Sequence, residues 1–397
     1  MPQEMPQENP QEMPRALTGF APRLAAFYAA LFAALGVQLP FLPVWFAAKG
    51  LDAQTIGLAL AVPMVVRVFA IPMATGAADR RDALRATLVV ASLLAVAGYG
   101  GLALADGALA IVAIYACAAA AYGAMMLLAD AYALRGLAAR GRAYGPVRLW
   151  GSVAFMAASL LAGALLDVIP AGQLIWLVFA AMVVAAAAAF TLLPLGPHPE
   201  AAAVPLPGTR LLRQPAFIAV LAAASLIQAS HAVYYGFATL AWQADGLGGR
   251  LIGALWALGV LAEIGMFAVS ARLPAMAPTW LLMLGAGGAV VRWTAMAFEP
   301  PPAALPVLQC LHALSFAATH LGALGFIVRT VPVQLGATAQ GYLAIALGLA
   351  MAGGMALSGV LYGSFGHLAY AAMAGAALLG GGCALGAHRL WGGDPRR

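Results

Sequence analysis

Twelve stretches of this chain are apolar almost throughout: roughly 22–47, 54–76, 84–104, 108–133, 147–168, 172–194, 215–242, 251–271, 279–298, 303–328, 338–362 and 367–388. Each is long enough to cross hydrocarbon about 30 Å thick, which takes ~20 helical residues. Only 9% of the 397 residues are charged, whereas a soluble domain carries about 25%. The pattern excludes a globular enzyme with a single anchor. It predicts an all-α membrane protein of 12 transmembrane helices.

Turn and charge signals separate the runs, as in "AKGLDAQ", "ADRRDALR", "RGLAARGRAYG" and "FEPPP". The longest break, residues 195–214, is rich in proline and polar residues and divides the runs six and six. The expected organisation is an N-terminal tail at 1–20, a six-helix half at 21–194, a cytoplasmic linker at 195–214, a second half at 215–390 and a short tail at 391–397. Residues 1–14 read MPQE-MPQE-NPQE-MP, a low-complexity segment that cannot build a core. It lacks the basic and apolar regions of a signal peptide and leaves Met1 and Met13 both open as starts.

Orientation follows from the basic residues. With both termini cytoplasmic, 16 arginines fall inside and only Lys49 and Arg250 outside, while Arg67 and Arg292 lie within runs. The positive-inside rule therefore selects that topology. The net charge of +6 resides in these short loops, which argues for a membrane partner and against nucleic acid.

The two halves also repeat. At an offset of 196, Ile56-Gly57 recurs as Ile252-Gly253, Gly145 falls on Gly341, and Arg67 falls on Glu263. Parallel six-helix halves related by an axis along the membrane normal would produce this. Arg67 and Glu263 would then lie at equivalent depths.

Arg67, Glu263 and Arg292 each stand alone in an apolar run. A charge in hydrocarbon costs at least ~2.5–3.5 kcal/mol on insertion scales, so it turns inward toward a polar route. Such residues in both halves suit a transporter better than an anchor. No P-loop, G-x-S-x-G, H-E-x-x-H or paired-cysteine signature occurs, so neither enzyme chemistry nor a metal is expected. Cys117, Cys310 and Cys383 read as buried thiols acting as small hydrophobes.

Several strings narrow the reading. "YGPVRLWGSVAF" (144–155), "IGALWALGVLAE" (252–263), "VVRWTAMAF" (290–298) and "QCLHALSFAATHLGALGFI" (309–327) resemble the phenylpropionate-permease-like group of the major facilitator superfamily. That group is related to the lactose-permease and nucleoside proton symporters. The resemblance covers the chain after residue 20 and implies alternating access with proton coupling. It identifies "TGAADRRDALR" (75–85) with the superfamily's loop signature between spans 2 and 3, which keeps Asp79, Arg80 and Arg85. Its first glycine is displaced to Gly76, and Asp82 stands where a second glycine is expected. Asp79 then reads either as a gate latch or as a solvated aspartate favouring a helix dipole.

In the lactose-permease relatives a glutamate of span 8, an arginine of span 9 and a histidine of span 10 form one cluster, and Glu263, Arg292 and His312 occupy those spans here. The second acidic residue of span 10 is absent. Glu263 is therefore a candidate proton carrier, because a carboxyl away from water disfavours its charged form; a permanent pair with an arginine is the other reading. Gln309, His312, Phe316 and His320 fall within about 80° on one helical face. His312 and His320 are candidates for proton exchange or, alternatively, interhelical hydrogen bonds.

Arg67 has no acid at its depth in its own half. It offers a bidentate fork for a carboxylate, or else bonds backbone carbonyls or an acid across the halves. Arg292 and Gln309 join Arg67 as candidate solute contacts, and Gln38, Gln228, His231, Tyr234 and Tyr235 are candidate polar contacts or packing residues. Asp130 and Arg148 read as an ion pair on the cytoplasmic side, structural or opened in gating.

The expected function is secondary active transport: proton-coupled uptake of a small organic anion, with an aromatic monocarboxylate suggested by the resemblance. Symport of a sugar or nucleoside, proton-driven drug efflux, and a non-transporting membrane assembly or sensing factor are the alternatives. The expected location is a bacterial cytoplasmic membrane. The expected working unit is a monomer driven by the proton gradient without a cofactor.

Overall fold

A computed structural model describes residues 19–195, 208–270 and 276–392. In chain order the helices are α1 (Phe20–Ala48), α2 (Ala53–Arg80), α3 (Leu84–Ala103), α4 (Ala108–Ala138), α5 (Tyr144–Leu166), α6 (Leu174–Thr191), α7 (Pro215–Ala229), α8 (Ala232–Ala244), α9 (Gly249–Ser270), α10 (Pro278–Ala297), α11 (Leu305–Cys310), α12 (Thr319–Thr330), α13 (Gly336–Phe365) and α14 (Ala369–Trp391). Eleven segments among the described residues are long and apolar enough to span a membrane, so this is a multi-pass membrane protein. The eleventh segment, Val333–Trp391, holds both α13 and α14, which meet at a turn where Gly366 adopts φ +56°.

Two spans are not the continuous rods that the sequence predicts. α7 and α8 form one rod broken at Ser230 and His231, whose side chains reach back to backbone carbonyls: Ser230 Oγ donates to Ile227 O at 2.6 Å. Between α11 and α12 the helix widens to a π-turn over Ala313–Ala318. Neither break carries proline, so sequence punctuation does not mark it. The three cysteines are free, but Cys117 and Cys310 are exposed rather than buried. In a bilayer the outside is itself apolar, so a small hydrophobe is at home there.

Helix starts follow capping chemistry where the sequence supplies it. The Asp52 carboxylate accepts from Thr55 N at 2.8 Å and fixes the start of α2. The hydrogen bonds from Thr55 hold that carboxyl below the ordinary range.

Packing repeats along the chain. In the first half α1 packs on α5 and α6, α4 on α2 and α3, and α3 on α6. In the second, the α7/α8 rod packs on α13 and α14, the α11–α12 rod on α9 and α10, and α10 on α14. The halves meet where α2 crosses α13 and α5 crosses α9. Both crossings lie at the end away from the termini. A Cβ on Gly57 would fall 2.8 Å from Gly359 Cα, and one on Gly253 would strike Ser159 O. Gly163 and Gly359 are separated by the same 196 residues as Gly57 and Gly253. The two crossings are therefore equivalent, and each needs glycine for the backbones to touch.

That end carries a further tie. Asp167, just past α5, accepts from Gly249 N at 2.6 Å and Arg250 N at 3.2 Å, so a residue of the first half caps α9 of the second. Asp167→Ala should remove this cap at a cost of about 0.5–2 kcal/mol and bias the protein toward separation of that end. A thiol placed beside residue 250 should then label several-fold faster; unchanged labelling would show that the cap does not hold the halves together.

Candidate functional site

Arg67 lies 14 residues after Ala53 in α2, and Glu263 lies 14 residues after Gly249 in α9, so the pair occupies matched positions. Opposite charges at equivalent points divide the interior into two different centres.

The second half builds a polar chain. Arg292 on α10 is fully buried; its NH1 donates to His312 Nδ1 at 3.0 Å and its NH2 to Gln309 Oε1 at 2.7 Å. Tyr234 OH donates to the same Gln309 oxygen at 2.8 Å. The guanidinium lies over the rings of Tyr234 (4.4 Å) and Trp293 (4.6 Å). Cation–π contacts of this kind contribute up to ~2 kcal/mol each when desolvated. Guanidinium has only donors, so His312 Nδ1 must accept and the ring proton sits on Nε2. That nitrogen faces Glu263 Oε2 at 3.8 Å, beyond hydrogen-bond length but within strong electrostatic reach. The order is Arg292, His312, Glu263, with the imidazole between the two charges. The direct Glu263–Arg292 pair offered by the sequence is absent among the described residues.

His231 stands behind His312, with ring centroids 5.4 Å apart, and its Nε2 meets Ser315 Oγ at 3.0 Å. His312, Phe316 and His320 stack in sequence at 5.2 and 6.4 Å, so the predicted stripe survives the π-turn. Four residues expected to touch solute are instead enclosed: Arg292, Gln309, His231 and Tyr234 are each at most 2% exposed. Their polar groups are largely spent on one another and on Ser315. In this conformation they support the site, and Glu263 is the partly exposed end of the chain.

The first half builds a different centre. Arg67 runs across α4, where Gly123 leaves room for its stem, and Nε donates to Ala119 O at 3.1 Å. The guanidinium enters a niche of about 100 Å³ lined in part by Gln38, Tyr115, Tyr122 and Tyr235. Gln38 Oε1 accepts from Tyr99 OH, while its buried Nε2 has no partner among the described residues. Tyr115 and Tyr122 were legible in principle: they punctuate the alanine run of α4 at a seven-residue spacing, which places both on the face of Ala119.

The end near the termini departs from expectation. Asp130 accepts from Tyr28 OH at 2.6 Å and Tyr144 OH at 2.8 Å, and it forms no ion pair with Arg148. Arg148 lies 3.7 Å over the Phe32 ring and 5.5 Å over the Tyr28 ring, both of α1. Spacing along the chain does not reveal which helical face a long side chain takes. Arg85 donates to Leu192 O at 2.6 Å and Phe190 O at 2.9 Å, tying α3 to the end of α6 instead of bridging the halves. The side chains of Asp79 and Arg80 lie outside the described residues.

Asp82 adopts φ +43°, the region that favours glycine, where the loop signature expects one. Its carboxylate compensates by pairing with Arg135 at 2.6 Å. Asp82→Ala should keep the strain and lose the pair, lowering stability by about 0.2–1 kcal/mol, while Asp82→Gly should lose less because it also relieves the strain. Thermal melting of both variants checks the order; an alanine variant as stable as the glycine one would contradict it.

The sequence matches the MFS_1-like family over residues 22–372. It is 32% identical over 352 residues to the probable 3-phenylpropionic acid transporter of Escherichia coli (strain K12), covering 86% of this chain and 91% of the relative. It is 31% identical over 328 residues to the maltose permease of Geobacillus stearothermophilus, covering 79% and 80%. Among solved structures it is similar to the nucleoside transporter NupG, with a TM-score of 0.80 at 14% identity over 94% of this chain and 99% of that one. It also resembles a bacterial homologue of the human lysosomal transporter Spinster, in an inward-facing and unoccupied conformation, with a TM-score of 0.74 at 14% identity over 95% and 98%. At these identities the structural likenesses establish the fold alone.

Proposed function

This chain belongs to the MFS_1-like family, a transporter family of the major facilitator superfamily, and we propose that it carries an aromatic monocarboxylate into a bacterial cell together with protons. The observation that carries the reading is Arg67. It is a permanently charged fork facing a niche with no acidic residue among its lining. The kinship to a probable 3-phenylpropionic acid transporter supports the same substrate class.

In this reading twelve helices cross the inner membrane as two six-helix domains, with both termini cytoplasmic and the polypeptide working as a monomer. With that orientation, the contacts between halves at the end away from the termini correspond to an inward-facing conformation. Substrate binds against Arg67 when the site faces outward, with Glu263 protonated. After the halves rock, Glu263 opens toward the cytoplasm beside His312 and loses its proton. Arg148 and the Arg292–His312 pair then stabilise the carboxylate that remains. The proton gradient is the only energy source needed, and no cofactor takes part. His320, farther along the stacked column, lies on the proton's exit side. Asp79, Arg80, Asp130 and Arg148 belong to the end that must close in the outward-facing state.

A second reading, symport of a neutral sugar, is favoured by the kinship to a maltose permease. Proteoliposomes containing the purified protein separate the two. Under an imposed inward proton gradient, phenylalkanoates should accumulate and maltose should not. Accumulation of maltose alone would select the second reading, and accumulation of neither would remove proton-coupled uptake of both classes.

A further inference from the structure

We propose that Tyr235 is a substrate-contacting residue of the second half, whose hydroxyl donates to the carboxylate held by Arg67, so that bound substrate ties the two halves together. This rests on the carboxylate reading of the Arg67 niche.

Tyr234 and Tyr235 are consecutive on α8 and therefore point about 100° apart. Tyr234 is turned into the buried cluster, with its hydroxyl spent on Gln309. Tyr235 is turned the other way. It is half-buried and lines the niche that Arg67 and Gln38 enter from the first half. Its ring is stacked on His231 (5.5 Å, 24°) and on Trp256 (6.2 Å, 24°), which fixes its direction without engaging the hydroxyl. Among the described residues that hydroxyl makes no hydrogen bond.

The niche thus presents three unspent donors: the terminal N–H groups of Arg67, Nε2 of Gln38 and the hydroxyl of Tyr235. A carboxylate has acceptor sites for all of them, whereas a neutral hydroxyl group does not. At about 100 Å³ the niche holds a carboxylate and little more, so the body of the solute must extend beyond it. Two of the donors belong to α2 and α1, the third to α8. A ligand bonded to all three favours the conformations in which α8 stands against the first half, which is the differential affinity a moving transporter requires.

Binding of a panel of phenylalkanoates and their amides to the purified full-length protein tests this, with Tyr235→Phe and Arg67→Lys compared in parallel. Tyr235→Phe keeps the stacked ring and removes one oxygen. It should weaken the best-bound carboxylate about tenfold or more, the usual effect of losing a hydrogen bond to a charged group. The matching amide should change little. If Tyr235→Phe melts below the wild type, the amide measured on the same variant separates lost folding from the lost donor: the carboxylate alone should weaken, whereas equal weakening of both would overturn the role of the hydroxyl. Carboxylate affinity unchanged in Tyr235→Phe but lost in Arg67→Lys would overturn the role of Tyr235 and leave the carboxylate site standing. Affinity unchanged in both, or no carboxylate bound by the wild type, would overturn the carboxylate site and this inference with it.

Discussion

Glu263→Gln is expected to abolish uphill accumulation of substrate while leaving exchange intact. Glutamine imitates the protonated carboxyl in shape and charge but cannot release a proton. Glu263 is the partly exposed end of the chain that begins at Arg292, and His312 presents an N–H toward it at 3.8 Å. With the charge removed, the halves can still rock with substrate bound, because no buried carboxylate must be desolvated. The proton step is lost. Counterflow should therefore proceed at near wild-type rates, and accumulation driven by a pH gradient should fall to the background of empty vesicles. Accumulation retained in Glu263→Gln would reduce the glutamate to a structural partner of His312 and move the proton to His312 or His320.

Arg67→Lys should produce the second large effect, and on binding. Lysine keeps the charge but loses the planar fork. Its shorter reach across α4 also abandons the bond to Ala119 O. The loss of a charge-assisted hydrogen bond is worth about 1.5–3 kcal/mol, or roughly ten- to a hundredfold in affinity for a carboxylate. Neutral solutes should be nearly indifferent. Equal losses for carboxylates and for maltose would mean that Arg67 shapes the cavity and does not read charge.

The fold was legible because hydrocarbon thickness dictates the length of each run, and because the 196-residue offset relates positions whose contacts are equivalent. Gly57 with Gly253 and Arg67 with Glu263 could be paired on the page; Gly163 with Gly359 shows its meaning only when both crossings are seen. The site was half legible. Charges isolated in apolar runs announce themselves by cost, and Glu263, Arg292 and His312 do assemble. What hydropathy cannot rank is facing. Tyr234 and Tyr235 are chemically identical neighbours, yet one is enclosed with Gln309 and the other lines the niche. Asp130 and Arg148 stand close along the chain, whereas two tyrosines satisfy Asp130 and Arg148 lies over the Phe32 ring. The break at Ser230 and the π-turn at Ala313 arise from side-chain and helix–helix contacts that a one-dimensional pattern does not contain.

The central claim is that carboxylate and proton move together through one protein with Glu263 as the carrier. Its most direct test is proton movement driven by substrate alone. Proteoliposomes are held without any initial pH gradient in a weakly buffered medium, and a phenylalkanoate is added outside. The account predicts that the medium turns alkaline as substrate enters, and that Glu263→Gln vesicles exchange the same substrate with no pH change. Substrate entry without alkalinisation in the wild type, or alkalinisation that persists in Glu263→Gln, would contradict it.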